Sequence, residues 1–314
     1  MSNLLKAASS PHIRHEDSTA GIMFNVAFAL MPAAVFGCIL FGVHAALVLL
    51  TTVITAVAAE FIWNLLLKKP QTVGDFSAVV TGLLLGMNLS PNVPLWIAAI
   101  GSVAAIIVVK QMFGGLGYNF VNPALAARVI LLVSFPSYMV NYSEPLRNAT
   151  ENAVDAMTSP TPLVDPSGTS VLKLFLGMHK GCIGETSACL LIIGGLVLIA
   201  FRIINPIIPA SFIGTVALFG WAFGEDPLRY ILSGGLMLGA IFMATDYVTS
   251  PTSNLGKLIF GIGCGLITFV IRRFASLPEG VSYAILIMNI ITPLINRIPL
   301  GRPFGFVKEV KKDA

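Results

Sequence analysis

Long apolar runs separated by short polar breaks recur from one end of the chain to the other, and no other feature constrains the fold as strongly. A helix needs about 20 mostly apolar residues to cross a bilayer. Runs near that length fall at residues 20–41, 43–66, 76–91, 94–112 and 123–140, and again at 186–204, 207–223, 230–246, 257–275 and 280–297. Inside hydrocarbon every backbone N–H and C=O must find a partner within the protein, so spanning segments of this kind form helices. Composition agrees: 56% of the residues are hydrophobic, 11% are charged and mean hydropathy is +0.86, whereas about a quarter of a soluble chain is charged. The chain is read as an all-α integral membrane protein of about ten transmembrane helices.

The runs divide the chain into an interfacial segment at 1–19, a first membrane repeat at 20–140, a polar loop at 141–185, a second repeat at 186–298 and a tail at 299–314. Five spans on either side of the loop would carry the two halves through the membrane in opposite senses, the parity of an inverted repeat. A faint echo accompanies it: "GLLLGMNLSP" from Gly82 and "GLMLGAIFMA" from Gly235 share G-L-x-L-G, and each run ends near a Ser-Pro pair. Gly and Pro within stretches such as "TGLLLGMNLSPNVP" predict interrupted helices lining a cavity. Positive charge favours a cytoplasmic N-terminus. That orientation puts Lys68, Lys69, Lys110, Arg202 and the basic tail inside, with Arg272 and Arg273 as the main violation. The N-terminus lacks the order of a signal peptide and is expected to stay attached at the membrane surface.

The net charge of +4 comes from loops and tails without a basic, aromatic-interleaved stripe, which excludes nucleic acid as a partner. Cys38, Cys182, Cys189 and Cys264 are scattered and form no C-x-x-C, so the chain encodes neither a cluster nor a zinc site. The histidines, His12, His15, His44 and His179, are too dispersed for a ligand set. No metal site and no catalytic constellation emerges, and no nicotinamide fingerprint is present.

One motif appears twice. "DAMTSPT" runs from Asp155 to Thr161 and "DYVTSPT" from Asp246 to Thr252, both written D-x-x-T-S-P-T. By parity, the first copy lies in the polar loop outside the cytoplasm, and the second follows the eighth span and faces the cytoplasm. Alone, such a stretch is a turn with accessible hydroxyls. In context the resemblance is specific: "FGGLGYNFVNPALAAR", "DAMTSPTPL", "GCIGETSACLLIIGG", "GGLMLGAIFMATDYVTSPT" and "EGVSYAILIMNIITPLI" occur in an order that resembles the RnfD/NqrB family, over essentially the whole chain. That family supplies membrane subunits of the Rnf ferredoxin:NAD oxidoreductase and of the sodium-pumping NADH:quinone reductase.

The resemblance implies an FMN joined through its phosphate to Thr161, a phosphoryl threonine, with Asp155, Thr158 and Ser159 in the same motif. Pro160 replaces the family's more frequent Ala and alters the local geometry, since it fixes φ and removes an N–H. The resemblance also implies a flavin transferase working outside the cytoplasmic membrane of a bacterium or archaeon. Further partners are cluster-bearing, NADH-binding and second FMN-bearing subunits, paired membrane subunits, and Na⁺ or H⁺ as the translocated ion. A noncovalent flavin, riboflavin, is a second cofactor it suggests. Catalysis would require those partners, and this chain would be one subunit of the translocating oxidoreductase.

Several polar residues sit where lipid would be costly. Asn122 precedes Pro123 at a helix start, with Arg128 one or two turns inside. An arginine at that depth needs a flavin phosphate, a carboxylate or backbone carbonyls. Glu185 lies at a span start, as a cofactor contact or a neighbour of the helix N-cap. Asp246 and Thr249 lie where a span stops before Pro251, to finish the backbone or to bind a flavin or cation. Glu60, within the second span, needs a partner and joins Asp246 as a candidate for an ion path. Two other functions share this architecture: a solute or ion channel without redox chemistry, and a structural anchor of the complex.

Overall fold

The computed structural model describes residues 18–142, 145, 170–185, 187–275 and 280–298. Among them all regular structure is helical. Helix α1 (Thr19–Phe41) and helix α2 (Val43–Leu66) are separated by Gly42 alone. Its φ of +81° lets the chain reverse between two long apolar stretches where a side chain would be strained. Helix α3 (Ser77–Met87) is short. Helix α4 (Leu95–Val103) continues as a π-helix over Ala104–Gln111, and α5 (Pro123–Ser134) is followed by the single turn α6 (Pro136–Met139).

After α7 (Val171–Leu176) come α8 (Ala188–Ala200), α9 (Ile207–Ala222) and α10 (Pro227–Leu232). The one-turn α11 (Leu236–Leu238) also runs into a π-helix, Gly239–Met243. Helices α12 (Asn254–Phe274) and α13 (Val281–Ile295) complete the bundle. By length and composition α1, α2 and α12 can cross a membrane, and the other apolar helices are shorter. Serine hydroxyls begin four of the helices by accepting from orphan N–H groups: Ser18 from Gly21, Ser170 from Lys173, Ser187 from Leu190 and Ser253 from Gly256.

The packing joins the two halves of the chain. Helix α1 lies against α8, and α5 against α13, while α2 packs on α3 and α4 and α9 packs on α12. In lipid the apolar effect between helices is absent, so close approach over small residues carries association. Gly261 and Gly265 of α12 provide it. A Cβ at Gly261 would stand 1.9 Å from Ser211 Oγ, and one at Gly265 would stand 2.6 Å from Thr215 Cβ. Phe212 and Phe260 are fully enclosed, whereas Phe28, Ile39, Leu66 and Trp221 point outward as large apolar side chains.

Loops gather at two ends. One end collects the turns after α2, α4, α8 and α11: Tyr247 donates its hydroxyl to the Ile203 carbonyl, and the Thr252 N–H donates to Asn296 Oδ1 at 3.3 Å. The other end ties His44 to the Pro91 carbonyl at 2.7 Å and Ser90 to the Asn141 carbonyl, and sets α7 against α10. The continuously described chain therefore breaks off after Tyr142 and resumes at Ser170 at the end opposite Asp246.

The two arginines that strain the charge rule are both engaged at this second end. Arg272 donates to the Tyr230 carbonyl at 2.8 Å and to that of Ser233 at 3.1 Å, with its guanidinium 5.4 Å from the Tyr230 ring centroid. Arg273 pairs with Glu225 at 3.1 Å. Lys110, which the sequence reading counts among the cytoplasmic basic residues near the end of the fourth run, is buried within the helix that ends at Gln111.

Candidate functional site

Two polar assemblies occupy the interior, one above the other along α5. The first faces a cavity of about 90 Å³ between the start of α1, the start of α3, the 116–122 turn, the 198–204 segment and the residues after the second π-helix. Ile22, Met23, Leu198 and Phe242 give it apolar walls, and Ser77, Lys110, Asn119, Thr245 and Asp246 give it polar ones. Both π-helical segments reach it, through Lys110 and Phe242. A π-turn inside an α-helix is uncommon and recurs at functional sites.

Asn122 stands on the cavity wall and builds the start of α5. Its Oδ1 accepts from the N–H groups of Ala124 at 3.0 Å and Leu125 at 3.3 Å, and Pro123 fills the first helical position. Its Nδ2 donates to the Met243 carbonyl at 3.2 Å, joining the first half of the chain to the end of the second π-helix. Asp246 takes the Thr249 hydroxyl at 3.0 Å, and the Asn119 side chain and the N–H groups of Tyr247 and Val248 also reach it. The second D-x-x-T-S-P-T copy thus finishes its own turn and presents its carboxylate to the cavity.

Lys110 is held from behind. Its Nζ donates to Glu60 Oε2 at 2.9 Å and to Ser77 Oγ at 2.6 Å. The other Glu60 oxygen accepts from Gln111 Nε2 at 3.0 Å and from the Thr72 hydroxyl at 2.6 Å. Glu60 is fully buried and does not line the cavity. A buried ion pair holds when the remaining lone pairs are satisfied by further hydrogen bonds, and here they are.

The second assembly centres on Arg128, six residues beyond Asn122 on α5 and therefore about 9 Å along its axis. One guanidinium nitrogen donates to Asn88 Oδ1 at 2.6 Å and Ser282 Oγ at 3.2 Å; the other donates to Glu185 Oε1 at 3.3 Å and Cys182 Sγ at 3.4 Å. These partners come from the end of α3, the start of α13 and the 181–185 segment. That segment is inserted against the broken helix: Ile183 N donates to the Leu89 carbonyl at 3.1 Å and Gly184 N to the Met87 carbonyl at 2.7 Å. Gly235 leaves room for the carboxylate, since a Cβ there would stand 2.6 Å from Glu185 Oε1.

Of the residues singled out in the sequence, Asn122 and Asp246 share the cavity, Thr249 binds Asp246, and Glu60 sits behind Lys110. Arg128 and Glu185 pair with each other away from the cavity, and Glu185 stands two residues before Ser187, the N-cap of α8. Asp155, Thr158, Ser159 and Thr161 lie outside the described residues. Sequence reasoning missed Lys110, Asn88, Asn119 and Ser282. For Lys110 a signal existed: a carboxylate buried in one span demands a cation at the same depth in another.

His179, close to Glu185 in the 177–185 segment, is buried, and loss of hydration lowers its pKa to about 4, partly offset by a backbone hydrogen bond at Lys173. The unfolded chain takes up a proton near pH 6.5 that the folded chain refuses until about 4. Stability present above pH 6.5 is therefore lost as pH falls through that window, by up to about 1.4 kcal/mol per unit. Melting curves at pH 7.5 and 5.0 should show a larger loss in the wild type than in His179→Phe, and equal losses would contradict this account.

Comparison with known proteins gives a concordant result. The description "NQR2, RnfD, RnfE family" matches residues 6–305. The D subunit of the Na⁺-translocating ferredoxin:NAD⁺ oxidoreductase complex of Acetobacterium woodii is 49% identical, covering 99% of this chain and 98% of that one. The D subunit of the proton-translocating ferredoxin:NAD⁺ oxidoreductase complex of Clostridium ljungdahlii is 43% identical over 96% of this chain and 97% of its own. Its counterpart in the ion-translocating oxidoreductase complex of Stutzerimonas stutzeri is 40% identical over 90% and 91%. A match that runs from residue 6 to residue 305, with relatives of equal extent, leaves no part of the apolar bundle unaccounted for: the chain belongs to the NQR2, RnfD, RnfE family.

Proposed function

We propose that the chain is the D subunit of an Rnf-type ferredoxin:NAD oxidoreductase that couples electron transfer to movement of Na⁺ or H⁺. The observation that carries this reading is the end-to-end similarity to the D subunits of two such complexes, one sodium-translocating and one proton-translocating. The chain would carry FMN on Thr161 through a phosphoester, in a loop on the outer side of the bacterial or archaeal membrane, with its N-terminus in the cytoplasm. Ten transmembrane segments would form two inverted five-helix repeats. The packing of α1 on α8 and of α5 on α13 supports that symmetry. The position of Asn141 and Ser170 at the end opposite Asp246 supports a different fate for the two motif copies.

The cavity suits a second, noncovalent flavin such as riboflavin. Its lining supplies what a flavin needs: apolar walls from Ile22, Met23 and Phe242, a cation at Lys110, and amide and carboxylate groups at Asn119 and Asp246. A bound flavin would supply electron storage; the residues would hold it, limit water and fix the charge around it. Asp246 faces the cavity from the cytoplasmic end in this orientation and is the carboxylate placed to meet an entering cation. Ferredoxin oxidation and NAD⁺ reduction would belong to partner subunits.

The test is a denaturing gel of protein coexpressed with its flavin transferase, read by in-gel flavin fluorescence. Thr161→Ala should lose the signal completely, and Thr252→Ala should keep it. Loss confined to Thr252→Ala would invert the sidedness. A wild type without fluorescence would bring forward the channel or anchor reading.

A further inference from the structure

The ion pair behind the cavity has a direction. Lys110 lines the cavity and Glu60 does not, so the pair presents its positive end to whatever occupies the space. Glu60 is positioned by Thr72 and Gln111, and Thr72 is in turn held by Asn64 at 3.0 Å. Ser77 accepts from Lys110 and donates to Asp75 Oδ1, which completes a fixed polar chain from the ammonium to the turn before α3. The ammonium therefore cannot swing away without breaking two buried bonds. In a site of low dielectric a fixed charge acts strongly on any group whose own charge changes.

We infer that Lys110 is the residue that tunes the noncovalent flavin of this cavity, with Glu60 as its positioning residue, so that the ammonium favours the reduced ring over the oxidised one. This rests on the reading of the cavity as a flavin site. When iron–sulfur or flavin donors of the complex deliver two electrons one after the other and the ring takes up one proton, the ring gains one net negative charge. Lys110 stabilises that charge, and Asp246 on the same cavity opposes it. The balance between the two sets how readily electrons rest here, and the pairing with Glu60 keeps Lys110 in place.

The experiment uses the intact complex, with wild type compared with Lys110→Met, Lys110→Arg and the double variant Glu60→Gln/Lys110→Met, which leaves no orphaned carboxylate if the single variant fails to assemble. Acid-extractable flavin is quantified, covalent flavin serves as the control for assembly, and the noncovalent flavin is titrated by difference spectroelectrochemistry. Removing the cation should raise the oxidised-to-reduced ratio at fixed ambient potential about tenfold, close to 30 mV for a two-electron couple. Lys110→Arg should restore the wild-type ratio. Bound flavin with an unchanged ratio in both charge-removing variants overturns the tuning role. Loss of flavin from an otherwise assembled variant also overturns it and makes Lys110 an anchor. A wild-type complex in which all acid-extractable flavin belongs to partner subunits overturns the cavity reading itself.

Discussion

Arg128→Leu is expected to destabilise the protein by about 3–5 kcal/mol, the cost of leaving a buried charge without its counter-ion. Arg128 and Glu185 are both enclosed and stand 3.3 Å apart. The substitution strands the carboxylate and also removes the donors to Asn88, Ser282 and Cys182. Replacing both members, as in Arg128→Leu/Glu185→Leu, should recover most of the loss, because two apolar side chains need no hydration and no partner. Thermal or denaturant unfolding of the detergent-solubilised protein measures both. A single variant that loses less than about 1 kcal/mol, or a double variant worse than the single, would mean that the pair does not hold the 181–185 segment in place.

The second large effect is steric. Gly261→Val drives a branched side chain into α9, where a Cβ already meets Ser211 Oγ at 1.9 Å and the Ile208 carbonyl oxygen at 3.0 Å. The backbone carbonyl cannot rotate aside, so α9 and α12 must separate, and overpacking of this kind costs about 1–3 kcal/mol or more. The expected readout is loss of the monodisperse peak in size-exclusion chromatography of the tagged protein. Gly261→Ala should be milder, and Ser211→Gly should relieve it, because Ser211 contributes the nearest atom. Full tolerance of valine would show that the two helices are not held at this distance.

Local features are legible in the sequence and long-range ones are not. Apolar length locates helices such as Thr19–Phe41 and Asn254–Phe274, because each satisfies its own backbone and needs no distant partner. Asn122 followed by Pro123 announces a helix start for the same reason. The third run, expected over 76–91, forms a helix over Ser77–Met87 alone, because Asn88 and the Ser90–Pro91 pair turn the chain back. Charge pairing cannot be read this way. Glu60 meets a lysine 50 positions on, and Arg128 meets a glutamate 57 positions on. Each looks like a lone buried charge because its partner sits on another element. Lys110 passes for a charge at the membrane face because it lies near the end of an apolar run; Glu60 and Ser77, on other elements, hold it inside. The cavity draws on both halves of the chain, and no window of sequence contains it.

The insertion of residues 181–185 gives the protein a built-in clock. Cys182 is enclosed beside Arg128, so a reagent in solvent can meet its thiol only if that segment lifts away. With Cys38, Cys189 and Cys264 replaced by alanine, the rate at which a thiol reagent modifies Cys182, divided by the rate for a free thiol, is the fraction of time the segment spends open. Measured during turnover and at rest, that ratio would report whether electron flow loosens the seam between the two halves.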